Sequence, residues 1–162
     1  MNWLTILLAG CLLISGSAAI AQPSMPDESD QAASLIGITI LGSPSLSIST
    51  IDGFTKGISV NHNTLQLNLS LGLAWSIQVR ALDDLRYQSY SIPASSIGMQ
   101  SVGLGTRPEL FLTTTNQTLA SGLVTSSLSA VLPIRYRTIG GSTFLKPAGA
   151  YTTTILFTFT SQ

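Results

Sequence analysis

A hydrolase needs a nucleophile beside a base, or two carboxylates facing one another in a pocket. The chain has a single histidine, His62, set in Asn61-His62-Asn63, which reads as a turn between strands because Asn tolerates turn backbone. No acid nearby in the sequence could orient it, so a solvated turn histidine is expected, not a general base. Asp83-Asp84 and Glu109 come nearest to a carboxylate cluster, yet adjacent aspartates lack the repeated oxygen spacing of a calcium loop. With one Cys and one His, a metal cluster of thiolates and imidazoles is excluded by count. The expectation is therefore a non-enzyme with no catalytic residue, no metal and no cofactor.

Side chains that bind are a separate matter. Arg135 and Arg137 fall on one face of an alternating segment, with Leu132, Ile134 and Tyr136 on the other. Two cations at that spacing can meet anionic glycans or phosphates of a cell wall, and can equally be the wet face of a strand. Tyr87 and Tyr90, in Arg86-Tyr87-Gln88-Ser89-Tyr90, are candidates for an exposed binding loop. Trp75 sits between Leu73 and Ile77 on an inward phase and is expected in the core. Asn68-Leu69-Ser70 and Asn116-Gln117-Thr118 match a glycosylation sequon, a short pattern that carries little weight here.

These residues have to be positioned by strands. From Leu65 to Ala81 every odd position is apolar and every even one small or polar. A period of two belongs to a strand with one buried face. Seventeen residues at about 3.3 Å each would run roughly 56 Å, far beyond an ordinary strand. Gly72 offers a bend that carries the strand from one sheet into another while keeping its phase, and a tight turn near Ser70-Leu71-Gly72 is the alternative. Further β-type runs lie at 35–41, 46–51, 90–93, 97–102, 109–114, 122–130, 131–138 and 150–160, separated by Gly, Pro, Ser and Asn. None has a helical period. The expected fold is all-β, an antiparallel two-sheet β-sandwich of about eight strands, immunoglobulin-like or pilin-like.

The first 21 residues read as an export signal. Trp3 to Ile14 form an apolar run, and Ala19-Ile20-Ala21 before Gln22 has the form cut by signal peptidase, although Lys and Arg are missing from the start. Leu8-Ala9-Gly10-Cys11 also resembles a lipobox, which would make Cys11 a lipidated first residue and tether the protein to a membrane. If the signal is lost, the mature chain has no cysteine and folds without disulfides despite export. Residues 22–34, with two Pro and three acids, read as a flexible leader. Residues 35–162 then form one domain, long enough to bury a core. Seven acids balance seven bases and only 9% of residues are charged, which leaves no basic patch for nucleic acid.

The closing stretch, residues 144–162, carries Pro147, Gly149-x-Tyr151 and then Thr alternating with large apolar residues. It resembles the last strand of two groups of bacterial surface proteins: the WxL domains of Gram-positive wall-associated proteins, and fimbrial and spore-coat-U-like subunits. For the WxL group, Trp75-Ser76-Ile77 with Val79 resembles the first Trp-x-Leu motif, and Phe157-Thr158-Phe159 stands at the second with both named residues replaced. The likeness spans residues 60–162 and implies peptidoglycan binding. The fimbrial likeness implies subunits in which an N-terminal strand completes the next subunit's sandwich, and Ile36, Ile38 and Ile40 have the alternation for that donor role. Trp75, Ile77, Val79, Tyr151, Ile155, Phe157 and Phe159 are expected to form the structural core.

The function expected is that of an exported bacterial surface protein, structural or adhesive, found outside the cell or at its surface. Its candidate partners are copies of itself, other surface subunits or cell-wall glycan, without nucleic acid and without a membrane unless Cys11 is lipidated. A wall-binding module is the alternative reading. A small outer-membrane barrel is a third, set back by too few aromatics for two girdles.

Overall fold

The structure, a computed structural model, describes residues 4–13, 36–105 and 107–161. Twelve strands among them make two sheets. The first contains β10 (Gln117–Leu123), β5 (Ala74–Ala81), β12 (Gly149–Ser161), β1 (Leu4–Leu13) and β3 (Ser45–Ile48) in that order, with the hairpin β6 (Leu85–Tyr87) and β7 (Tyr90–Ile92) joined to β12. The second runs β2 (Gly37–Ile40), β4 (Ser59–Leu69), β11 (Leu128–Thr138), β8 (Ile97–Ser101), β9 (Leu110–Phe111). Pairing is antiparallel except where β1 lies parallel to β12. The two sheets have separate edges and do not close into a barrel.

The chain is an all-β two-sheet sandwich. Between the layers lie Leu65, Leu67, Trp75, Ile77, Val79, Leu132, Ile134, Tyr136, Tyr151, Ile155 and Phe157, each at most 4% exposed. Phe159 packs half-buried against them. The inward phase of residues 65–81 and 151–159 is thus as the alternation requires.

The long run is broken, however. β4 ends at Leu69, β5 begins at Ala74, and the two belong to different sheets. The crossing is a turn in which Gly72 has φ +79° and Leu71 faces solvent. The single bent strand therefore gives way to two strands. The phase survives because the connection keeps odd positions inward on both sides of the interlayer.

Other departures have local causes. His62 stands inside β4, not in a turn, opposite Ile134 of β11. The β-type run expected over 46–51 ends at Ile48, and Ile51 with most of the Asp52–Gly57 loop expected after it forms a short helix, α1 (Ile51–Lys56). It is capped by Thr50, whose Oγ1 accepts from the Gly53 N–H at 3.0 Å. The strand expected over 109–114 shrinks to Leu110–Phe111. The run 122–130 divides between β10 and the start of β11. Pro133, which has no N–H to donate, stands in β11 at a register shift.

Candidate functional site

Part of the strand order follows the immunoglobulin pattern, while β10, which lies beside β5 but falls between β8 and β11 in the chain, has no counterpart in it. β2, β4, β11 and β8 correspond to strands A, B, E and D, and β5 and β12 to C and F. Tyr151 adds the corner such folds carry at the start of strand F, its hydroxyl donating to the Pro147 carbonyl four residues upstream at 3.1 Å. Burial raises the Tyr151 phenol above its ordinary pKa. Gly149 is needed beside it, since a Cβ there would lie 2.3 Å from the Tyr87 ring. The Gly-x-Tyr spacing is therefore a packing device, with the Tyr87 and Tyr151 rings 5.5 Å apart.

In this frame the position beside strand F belongs to strand G, which normally returns antiparallel from F. Here β1 holds it. Leu4–Leu13 runs parallel to Gly149–Thr158, pairing Leu4 with Gly149 and Leu13 with Thr158. On its other side Leu4–Leu7 pairs antiparallel with β3, from Ile48 to Ser45. Among the described residues β3 pairs with no other strand. The first half of β12 has one further strand pairing, Thr152 with Arg86, before β5 takes over at Ile155. β1 is thus the sole sheet partner of β3 and the main one of residues 149–154. The walls of this slot send Leu46 and Ile48 inward from β3, and Tyr151, Ile155 and Phe157 from β12, all essentially buried. Thr153, the polar exception on that face, is satisfied by donating to the Asp83 carbonyl at 2.8 Å.

The segment singled out for donation is engaged at home. Gly37–Ile40 pairs with Leu65–Asn68 of β4, and Ile38 is 4% exposed. Ile36 is exposed and Ile40 half-buried. A strand in this position is not a free arm. Residues 14–35 lie outside the described residues, so the cleavage site and the leader 22–34 do too. Cys11 is in β1, in register with Leu156.

The expected binding side chains are mostly committed within the chain. Arg137 makes a forked pair with Glu109, Nε to Oε1 at 2.9 Å and a terminal nitrogen to Oε2 at 2.6 Å, and lies over the Phe111 ring. Arg135 donates to the Gln100 side-chain carbonyl. Tyr90 is exposed, but Tyr87 is half-buried under β12 and works in the core, not in an exposed loop. Asp84 accepts from the Ala94 N–H at 2.9 Å and braces a turn. His62 Nδ1 lies 3.0 Å from Thr64 Oγ1, which in turn meets the buried Tyr136 hydroxyl at 2.9 Å. Burial pushes that phenol well above its ordinary pKa. Among the described residues no group of three His, Cys, Asp or Glu converges. A depression of about 110 Å³ beside Ala74, Trp75, Ser76 and Thr160 carries no ionisable side chain.

The hydrogen bonds from Arg137 hold the Glu109 carboxyl below its usual pKa. A carboxylate depressed in the folded state contributes stability above its unfolded pKa and loses it as pH falls through the folded value. Glu109→Gln is expected to cost up to about 1 kcal/mol at neutral pH, since the Arg137 side chain is 37% exposed and solvent screens the pair. Urea titrations of both proteins should converge as the pH drops below the carboxylate range. A gap independent of pH would mean the pair contributes through packing alone.

Fold and pairing together give an all-β two-sheet sandwich in which the strand position between β12 and β3 is filled from the chain's apolar N-terminal run. No family model matches this chain, and no curated protein matches it either.

Proposed function

We propose that this protein is an exported, non-enzymatic bacterial cell-surface protein, a structural or adhesive sandwich of fimbrial-subunit type. The observation that carries the reading is the origin of the strand between β3 and β12. It comes from the same apolar run that reads as an export signal. Processing after Ala21 removes Leu4–Leu13 entirely, and processing ahead of Cys11 removes most of it. Either way two strands of one sheet are left facing an unfilled strand position. Unpaired N–H and C=O groups along β3 and residues 149–154 form a template that another molecule's strand can complete. The described side chains agree with work done by edges and strand faces: the acids and arginines that drew attention are braced against their own chain.

The test is made on envelopes of cells producing the full chain with its leader. Mass spectrometry is expected to place the N-terminus at Gln22 or at a lipidated Cys11. On an unheated denaturing gel the protein is expected in complexes that collapse to the mature band on boiling. Recovery only as an unprocessed cytoplasmic monomer, or as a processed monomer with no partner, would overturn the proposal.

A further inference from the structure

The outer face of the second sheet carries a strip of side chains that a sandwich does not need for its own folding. Along β4 the residues turned away from the core are Ser59, Asn61, Asn63, Gln66 and Asn68. They share one face because Thr64 and Leu65 are both buried at the register shift, which changes the phase of the strand between Asn63 and Gln66. On β11, Arg135 stands opposite Asn61 and Ser129 opposite Asn68. Asn is depleted in strands, where β-branched and aromatic side chains are favoured, yet three outward positions of β4 hold it. At about 3.3 Å per residue the strip from Ser59 to Asn68 is roughly 30 Å long.

Several of these groups are fixed in place. Gln66 Nε2 donates to Ser129 Oγ at 3.1 Å, and that hydroxyl donates to Asn68 Oδ1 at 2.8 Å. The Gln66 carbonyl is left as an acceptor and the Asn68 amino group as a donor for another molecule. Arg135 is held by the Gln100 side-chain carbonyl, and the Gln100 amino group is anchored on the Arg107 carbonyl at 3.0 Å. Gln100 is neutral, so the Arg135 charge is positioned without being cancelled. Its Nε is shielded from water and has no acceptor among the described residues, which is costly for a cationic donor. Arg137 beside it is answered by Glu109. The other described acids are engaged away from this face: Asp52 by Lys56 in α1, Asp83 by Thr153, and Asp84 by the Ala94 N–H.

A strip of amides and hydroxyls with one uncancelled cation suits one class of partner. Protein interfaces have an apolar centre, and the outward residues of β4 and β11 include only Val131 and Pro133 of that kind. Nucleic acid needs a run of cations against its phosphates. A chain of sugars instead presents hydroxyls that each donate and accept, and every amide side chain answers with both functions. A carboxylate on such a chain complements Arg135 in charge and in geometry. We propose that this strip binds a linear acidic polysaccharide, a polyuronate by chemical class, with Asn61, Asn63, Gln66 and Asn68 meeting its hydroxyls and Arg135 a carboxylate. The assignment deepens the adhesive side of the function proposed above and rests on that reading for its setting outside the cell.

The experiment titrates the purified full chain, and the form recovered from envelopes, with oligogalacturonate, with a neutral oligoglucan of the same length and with soluble peptidoglycan fragments. Oligogalacturonate is expected to bind about tenfold more tightly than the neutral chain, the size of one charge-assisted hydrogen bond, and less tightly as salt is raised. Asn61→Thr combined with Asn63→Thr places strand-favouring residues at both positions. That variant is expected to lose about tenfold in affinity while its urea midpoint holds or rises, so lost binding cannot be put down to lost folding. Arg135→Gln is expected to abolish the preference for the acidic chain. Thr152→Ala, exposed on the first sheet, is expected to bind as the unaltered protein does. Equal affinity for acidic and neutral chains, retention of peptidoglycan fragments alone, or binding that these strip variants leave unchanged would overturn the proposal. If no oligosaccharide binds but the heat-labile complexes form in envelopes, the polysaccharide site falls and the surface role stands. If oligogalacturonate binds as expected but the protein stays unprocessed in the cytoplasm, the site stands and the surface role falls.

Discussion

Deleting residues 1–21 from the otherwise intact chain is expected to lower its stability by on the order of 4–5 kcal/mol, with the loss concentrated in one part of the molecule. The size follows from the walls of the slot. Leu46, Ile48, Tyr151, Ile155 and Phe157 are essentially buried with β1 in place. Fully burying an aliphatic or Phe side chain is worth about 1.5–3 kcal/mol. If each of these loses a third to a half of its cover when β1 leaves, the loss is comparable to the whole stability of a typical small domain, about 5–15 kcal/mol. The position follows from the pairing. β3 has no other sheet partner among the described residues, and the backbone of residues 149–154 keeps the pairing at Thr152 and the bond from the Leu82 N–H to the Thr154 carbonyl at 2.9 Å, beside the side-chain bonds of Tyr151 and Thr153. Amide hydrogen exchange should therefore speed up in β3 and the first half of β12. Protection in β4 and β11, which pair with each other along most of their length, should fall only with global stability. Added leader peptide should restore both stability and protection. Unchanged exchange in β3 after the deletion would show that the strand position is not needed.

Why the sheet face was legible and the slot was not comes down to what is local. Alternation is a property of neighbouring residues, so Leu65, Leu67, Ile77, Val79, Ile155 and Phe157 could be assigned inward from spacing alone, and their burial agrees. Which strand lies beside which is a property of residues far apart. The odd-even phase through Ser70 to Leu73 is the same whether the chain bends or turns, so spacing allowed the passage between sheets at Gly72 but could not show that a turn between two strands makes it. The same holds for Arg137. Its face was readable, but its partner Glu109 depends on β9 lying next to β8 and β8 next to β11. α1 stayed hidden because six residues hold less than two turns, too few for a period to show.

The leader strand is the sharpest case. Trp3 to Ile14 is a continuous apolar run without alternation, the composition of an address label. Nothing local in it points to a sheet. Its place arises from the far end of the described chain, where it pairs with Gly149–Thr158 of β12 on one side and with β3 on the other. The resemblance of the closing strand to fimbrial subunits pointed to strand exchange, but through Ile36, Ile38 and Ile40. In the structure that segment forms β2, bonded to β4.

The slot also needs its β3 wall held in place, and this makes Gly57→Ala the most damaging single substitution expected. β3 ends at Ile48, and α1 follows after Ser49 and Thr50. At the far end of the helix the chain docks on the opposite sheet: Ile58 N–H donates to Thr138 Oγ1, the Thr138 N–H returns to the Ile58 carbonyl, both at 2.9 Å, and the Gly141 N–H donates to the Phe54 carbonyl at 2.6 Å. Gly57 lies inside this clasp with φ +81°, its own N–H closing the helix on the Gly53 carbonyl. A Cβ at that site would stand 1.9 Å from the Thr138 carbonyl oxygen. That oxygen belongs to a backbone pinned on both sides, so the clash cannot be relieved by a rotamer change. At φ +81° and ψ 176° the backbone is in a region open essentially to glycine alone, and strain there of about 1–3 kcal/mol adds to overpacking of about 1–3 kcal/mol, for a loss on the order of 4 kcal/mol and loosening of β3 with the clasp. Gly72→Ala is the comparison without a clash. Its φ is +79° and nothing lies within 4 Å of the added carbon, so backbone strain alone applies and about 1 kcal/mol is expected. Urea unfolding of both variants, with leader-peptide exchange measured alongside, gives the comparison. Equal losses in the two would mean that the contact with Thr138 yields freely and that β3 is not held by this clasp.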